Sequence, residues 1–340
     1  MIAWIQEPRR LLALIFGVLG AMAPALADAD FSALKKAYRR PATIPFPANN
    51  LYSPEKAALG KTLFFDTRLS RDQNLNCASC HNPSYGWEVP LAKAIGAGAK
   101  PLERNAPSVV NRAWTTHLFW DGRAEGLEAQ ARGPIESKME MDAPMATVVQ
   151  RLKMVSDYQI AFDRAFPGEG ISETNVLKAI ATYERILVSP KAPFDRWVDG
   201  DEQAISNAAK RGFELFNGKA LCVACHPGWS FSDNKFHDIG LPSGDLGRFA
   251  VTQRAADKFA MKTPSLREIS VRAPYMHDGS LPTLESVVAH YASGGIQRPT
   301  LSPVMKPLSL SGPEQKDLVE FMRSLTSKAA VTSMPNLPVH

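Results

Sequence analysis

Two stretches, "CASCH" at 77–81 and "CVACH" at 222–226, hold all four cysteines of the chain, and each pair is followed directly by a histidine. Three chemistries use cysteines so closely spaced. A redox dithiol has no need of His81 or His226 behind it. A zinc site needs four ligands and would have to gather them from motifs 145 positions apart. Covalent c-type haem uses both features at this spacing. The thiols of Cys77 and Cys80, or of Cys222 and Cys225, take up the two vinyl groups, and the adjacent imidazole of His81 or His226 reaches the iron. Two such motifs with no spare cysteine point to two c-type haems.

The elements that must hold these motifs read as helices. "SPEKAALGKTLFFD" has Ser53 as a cap and Pro54 at the first helical position. "MATVVQRLKMVSDYQIAFDRAF", "SETNVLKAIATYERILV" and "ISNAAKRGFELF" repeat apolar residues every three or four positions. "SGPEQKDLVEFMRSL" does too, with Ser311 and Glu314 at capping-box spacing. Pro/Gly-rich loops separate them, and the segment 188–202 reads as the connection between two domains. The expected class is mainly α, with haem domains over 28–190 and 191–335.

The chain also resembles itself. "NAPSVVNRAWTTHLFWDGRAEGLEAQARGP" after the first motif aligns without a gap to "KTPSLREISVRAPYMHDGSLPTLESVVAHY" after the second. Pro107-Ser108 then matches Pro264-Ser265, Asp121-Gly122 matches Asp278-Gly279, and Leu127-Glu128 matches Leu284-Glu285. The haem domains read as duplicates, and their differences should mark the function. Trp120 stands opposite His277, and Pro134 stands opposite Tyr291. Proline cannot ligate iron, whereas a tyrosine phenolate can. If both lie on the sixth-coordination side, the first iron is open and the second is capped.

Residues 1–27 read as a secretory signal. Arg9 and Arg10 precede an apolar run, and Ala25-Leu26-Ala27 gives small residues for cleavage before Asp28. A membrane anchor is the alternative, but the run over 11–27 is short for a span and contains Pro24. The mature chain is therefore expected in the periplasm. The net charge of +5 falls to about +4 when Glu7, Arg9 and Arg10 leave, too small an excess to indicate nucleic acid. The basic stretch "KKAYRR" at 35–40 reads as a solvated face. An apolar share of 45% against 21% charged residues indicates a chain that forms cores.

From about residue 50 to 327 the chain resembles the bacterial di-haem cytochrome c peroxidase and MauG family. The motifs that carry the likeness are "CASCH", "RNAPSVVN", "FWDGRAEGLEAQARGPIESKMEM", "YERILVSP", "CVACH" and "APYMHDGSLPTLE". The resemblance implies two cytochrome-c-like domains with a calcium ion between them. It implies that the first haem meets hydrogen peroxide and the second carries electrons. It makes Gln130 and Glu140 the distal pair beside the peroxidatic haem, with Glu140 moving the peroxide proton. It sets Trp120 between the haems as a conduit. It gives calcium Asn105 and the backbone carbonyls of Arg272 and Pro274, oxygen donors that suit a hard cation.

The chain departs from the peroxidase branch in two places. Ala97, in "AKAIGAGAK", stands where peroxidases that need reductive activation carry a loop histidine, so the first site is expected to be permanently open. Tyr291 stands where peroxidases cap the second haem with methionine, as it does in the MauG branch. His290 and Met305 are the alternative ligands. His277 is expected to hydrogen-bond near a propionate or between the haems, while His117, His237 and His340 give no functional signal. A thioether favours ferrous iron and suits electron uptake from small redox proteins. An anionic phenolate lowers the potential and suits oxidation of a protein partner at a distance. The branch also places a surface tryptophan just before the second haem motif; this chain has Ala220-Leu221 there and Trp229 nearby. Three functions are in play. The first is peroxide-driven oxidation of a partner such as a quinoprotein. The second is peroxide reduction with electrons from a small cytochrome c or cupredoxin. The third is electron carriage without catalysis.

Overall fold

The structure is a computed structural model that describes residues 31–328 and 332–339. The export signal lies outside the described residues. Among those described, no helix is long and apolar enough to cross a membrane. The described residues are mainly helical, with only two short antiparallel pairs of strands. The helices in chain order are α1 (Ser32–Ala37), α2 (Pro54–Phe65), α3 (Leu127–Glu136), α4 (Met145–Lys153), α5 (Ser156–Ala165) and α6 (Glu173–Ile186). They continue with α7 (Pro193–Val198), α8 (Asn207–Asn217), α9 (Phe249–Thr252), α10 (Leu284–Ser293) and α11 (Gly312–Arg323). Strands β1 (His117–Leu118) and β2 (Ala124–Glu125) pair antiparallel, as do β3 (Phe236–His237) and β4 (Met261–Lys262).

Several helices begin where their caps require. The Ser53 hydroxyl accepts the Lys56 N–H at the start of α2, and Ser311 and Glu314 satisfy each other's backbone at the start of α11. The amphipathic stretch over 145–166 is two helices rather than one. Val155 is extended and turns the chain between α4 and α5, so that Leu152, Tyr158 and Phe162 all reach one core.

Two main cores hold the molecule. The first joins α2 to α6 through Leu59, Leu63, Val148, Leu152, Phe162 and Ile180. The second is aromatic: Phe194, Trp197, Phe213, Phe216, Phe231 and Phe321 pack with ring centroids such as Phe216 to Phe321 at 5.0 Å. Phe194 and Trp197 lie on α7, so the connecting segment 188–202 carries a helix buried in the second core. The stretch 35–40 is solvated at Lys36, Ala37 and Arg39 but not at Tyr38. Tyr38 is buried in the second core with its hydroxyl donating to Asn217 Oδ1 at 2.6 Å, because one aromatic amid the cations is enough to anchor the segment there. The exchange is mutual, since Pro338 near the other end accepts a hydrogen bond from Arg68 in the first half.

Each haem motif follows a helix that crosses another at close range. A Cβ on Gly60 of α2 would run into the carbonyl of Ala179 on α6, and one on Gly212 of α8 into that of Asp317 on α11. An aromatic four positions further along, Tyr183 or Phe321, lies beside each glycine. No larger residue fits either crossing without backbone movement.

The ungapped sequence match keeps its register in space. Helices α3 and α10 start and end 157 positions apart. Leu118 pairs with Ala124 and Tyr275 with Leu281 at the same displacement. Asn111 and Glu268 both take the left-handed conformation, at φ 62° and 60°, which non-glycine residues adopt only where surroundings hold them. Each is held by the chain just past a long helix: Asn111 N–H donates to Leu187 and Glu268 N–H to Leu325. Where the two segments face each other the bonds are reciprocal. Asn105 N–H donates to the His277 carbonyl, and Lys262 N–H to the Trp120 carbonyl, both at 2.7 Å.

Candidate active site: two cavities and the wall between them

Both Cys-x-x-Cys-His motifs make a single 3₁₀ turn, Cys77–Ser79 and Cys222–Ala224, which carries the second cysteine and the histidine round to the side of the first. Cys77, Cys80 and His81 line one cavity, and Cys222, Cys225 and His226 line the other. His81 Nδ1–H donates to the Trp87 carbonyl at 3.3 Å, and His226 Nδ1–H to the Phe231 carbonyl at 2.7 Å. Such bonds fix the tautomer that leaves Nε2 as a lone-pair donor. Burial pushes His81 down to about 4 and lowers His226 as well, so both imidazoles are neutral at physiological pH.

All four cysteines are free. Burial raises Cys80 to about 11 and Cys222 to about 12 and pushes Cys77 up further, which is unlike a reactive redox thiolate. Among the described residues no three His, Cys, Asp or Glu side chains converge as a metal cluster, so the motifs do not pool into one zinc site. Each cavity thus offers two free thiols and one imidazole lone pair, the donor set that fits a c-type haem. His81 and His226 would be its proximal ligands.

The first cavity gathers the residues singled out beside it in the sequence. Gln130 and Pro134, four apart on α3, share one face of that helix, and both line the cavity with Glu140 and Trp120. Glu140 sits in the turn after α3. Burial raises its carboxyl above the usual range, opposed by Arg123 and by a hydrogen bond from Ser137. Ala97 N–H donates to the Glu140 carbonyl at 2.8 Å, and a Cβ on Gly96 would strike the Met139 carbonyl. The loop at 96–97 is therefore docked against the Glu140 turn.

The second cavity is lined by both Tyr291 and Met305. Tyr291 lies on α10 at the position that Pro134 holds on α3. Its phenol makes no hydrogen bond among the described residues, and burial raises it well above the ordinary tyrosine range, with Cys225 and Cys222 beside it. His290 points elsewhere, with Nε2 bonded to the Ile239 carbonyl at 2.9 Å.

Asn105, Trp120, Lys262 and Pro264 line both cavities and so form the wall between them. Trp120 Nε1–H donates to the Asn105 carbonyl at 2.9 Å, and its ring lies 6.3 Å from the buried ring of His277. Arg272 and Pro274 line the second cavity with Asn105, and among the described residues no N–H donates to the carbonyl of either. Ion pairs lock the halves here: Arg272 Nε meets Glu88 at 2.6 Å in a buried pair, and the half-buried Arg104 bridges Asp121 and Asp245 at 2.7 and 2.6 Å.

Three residues of these cavities escaped the sequence reading. His237 lines the second cavity and pairs with Asp233 at 2.8 Å, which raises it to about 9. Their spacing of four was the available signal. Arg112 and Lys262 are buried cations of the cavity linings. Lys262 stands opposite Asn105 in the self-alignment, where the change from amide to ammonium could have drawn notice.

Comparison with known proteins bears on the whole chain. The family model for di-haem cytochrome c peroxidase matches residues 54–203. The methylamine utilization protein MauG of Methylorubrum extorquens AM1 is 52% identical over 323 residues, spanning 93% of this chain and 92% of that one. MauG of Methylophilus methylotrophus is 47% identical over 308 residues, or 89% and 92% of the two chains. Among solved structures, a MauG-like protein associated with microbial copper homeostasis superposes with a TM-score of 0.79 at 31% identity, covering 85% of this chain and 95% of that one. Two cavities, each with the thiols and imidazole of a c-type haem, sit within a fold and a sequence shared with these proteins. The chain belongs to the di-haem cytochrome c peroxidase family and is a peroxidase-type oxidoreductase that carries two c-type haems.

Proposed function

We propose that the protein is a periplasmic oxidase of the MauG type, which takes hydrogen peroxide at the first cavity and withdraws electrons from a partner protein by way of the second. The observation that carries this reading is the asymmetry of one position. Pro134 and Tyr291 are equivalent residues of α3 and α10, each lining its own cavity, and only the second can donate to iron. The domains would be duplicates spanning 28–190 and 191–335, a reading supported by the constant displacement of 157 between matched turns, helices and hydrogen bonds.

When bound, the haem supplies the redox iron at which the O–O bond of peroxide is cleaved. Pro134 offers the first cavity no donor atom, so it would leave a bound haem uncapped on its side, and Ala97 has no imidazole to supply one. Gln130 orients the peroxide from the turn of α3 below Pro134. Glu140, whose burial makes its carboxylate a stronger proton acceptor, would in its ionised form take the proton from one peroxide oxygen and deliver it to the other, which leaves as water. Trp120, in the wall between the cavities, gives electrons a path inward. Tyr291, which lines the second cavity, would hold the second haem through its phenolate oxygen, an anionic donor that would keep that haem's potential low. Asn105 and the Arg272 and Pro274 carbonyls would bind calcium at this seam.

Met305 lines the second cavity beside Tyr291 and favours a second reading, a peroxidase that draws electrons from a small cytochrome c or cupredoxin. Steady-state turnover with peroxide and reduced cytochrome c separates the two. The proposal expects slow turnover alongside a prompt spectral response to peroxide. Brisk turnover would put the peroxidase first, and no response to peroxide would leave an electron carrier.

A further inference from the structure

The wall between the cavities holds more positive charge than the protein neutralises. Arg112, on the turn Arg112–Trp114, is 8% exposed and lines the first cavity. Its Nε donates to the Ser108 carbonyl at 2.6 Å, while Nη2 finds no acceptor among the described residues. Lys262, on β4, is 6% exposed and lines both cavities. Its ammonium has one bond, to the neutral Asn234 Oδ1 at 2.8 Å.

The carboxylates nearby are already used. Glu88 accepts from Arg272 and from the Ser108 N–H. Asp233 accepts from His237. Glu184 lines the first cavity, but its Oε2 is also unpartnered, no hydrogen bond joins it to Arg112, and burial lifts it to about 8, so at neutral pH it is mostly uncharged. Two buried cations that repel each other, with no carboxylate among the described residues bonded to either, are costly to leave unpaired. Burial and then Arg112 pull Lys262 down to about 7, and Asp233, already bonded to His237, offsets this only in part.

We propose that Arg112 and Lys262 form a cationic clamp for the carboxylate side chains of the haems, positioned at the wall that both cofactors face. The inference rests on the di-haem reading of the cavities. Each haem carries two propionates on the edge away from its vinyl groups, and these are the anions that the completed protein brings to an enclosed wall. Lys262 is tied through its own N–H to the Trp120 carbonyl, so the clamp is fixed to the residue that stands between the cavities. With carboxylates in place the two positive charges near Trp120 are offset. Without them two positive charges oppose removal of an electron from its ring. Arg112 and Lys262 are positioning residues: they act on the irons through the propionates.

The test uses the full chain matured with its haems, and the variants Lys262→Met, Lys262→Arg and Arg112→Lys. A cation beside the propionates disfavours the extra positive charge of ferric iron, so its removal should lower the potential. Lys262→Met is expected to shift the midpoint potential of the first haem downward and to move carboxylate bands in the ferric-minus-ferrous infrared difference spectrum. Lys262→Arg should restore both. Arg112→Lys keeps the charge but loses the fork, and should move the bands with a smaller shift in potential; it carries the same test if Lys262→Met does not accumulate. Unchanged potentials and bands in Lys262→Met and Arg112→Lys would overturn the clamp. So would a wild-type potential that tracks added chloride or inorganic phosphate, since the occupant would then be an ion from solution. A pyridine haemochrome count of two haems per chain in the same samples separates failure of the clamp from failure of the di-haem reading.

Discussion

Tyr291→Met is expected to raise the midpoint potential of the second haem and to increase turnover with reduced cytochrome c. The effect should be large, on the order of hundreds of millivolts, because the choice of axial ligand spans about 0.8 V in haem proteins. The sign follows from the donors. A phenolate is an anionic oxygen that stabilises the ferric state, and a thioether is a neutral, soft donor that favours ferrous iron. The site is prepared for the exchange. Tyr291 lies on a regular helix, its phenol has no other hydrogen bond among the described residues, and the cavity around it is apolar, with Val287, Val288 and Leu308 in its lining. Redox titration with visible and EPR spectra reads the result. A variant whose spectra match the wild type would remove Tyr291 as ligand and leave Met305, its neighbour in the cavity.

Glu140→Gln is expected to slow peroxide cleavage by about 10²–10⁴-fold, the usual contribution of a positioned acid or base, with both haems still attached. Glutamine keeps the size and the Ser137 contact but cannot carry the proton from one oxygen to the other. The fold should tolerate the change. What Glu140 contributes to packing is its backbone, through the bonds to Ser137 and Ala97, and the substitution leaves that intact. Stopped-flow mixing with peroxide measures the rate. A wild-type rate in the variant would place the proton relay on another group.

The readability of the site from sequence varied with how local its signals were. The caps at Ser53 and Ser311 involve residues three apart, and helices start there as their spacing indicates. The pairing of Gln130 with Pro134 on one face of α3 is equally local, and the cavity that gathers them with Glu140 and Trp120 contains no residue that the motif pattern would have excluded. The break at Val155 was hidden because the apolar period runs on through it, and only the common core of α4 and α5 demands the turn. Tyr38 was hidden for the opposite reason: a burying residue inside a charged run looks solvated until its partners, Phe194 and Phe213, arrive from more than 150 positions away. The reciprocal bonds of Asn105 and Lys262 to the opposite carbonyls use backbone atoms, which leave no mark in side-chain identity. The orphaned charge of Arg112 could be found only by asking what its guanidinium touches.

Two irons in different coordination are the central expectation. EPR of the purified ferric protein, before and after one equivalent of peroxide, tests it most directly. The expected spectrum has one high-spin centre and one low-spin centre in equal amounts, with the high-spin signal lost promptly on adding peroxide. Two low-spin centres that ignore peroxide would contradict it.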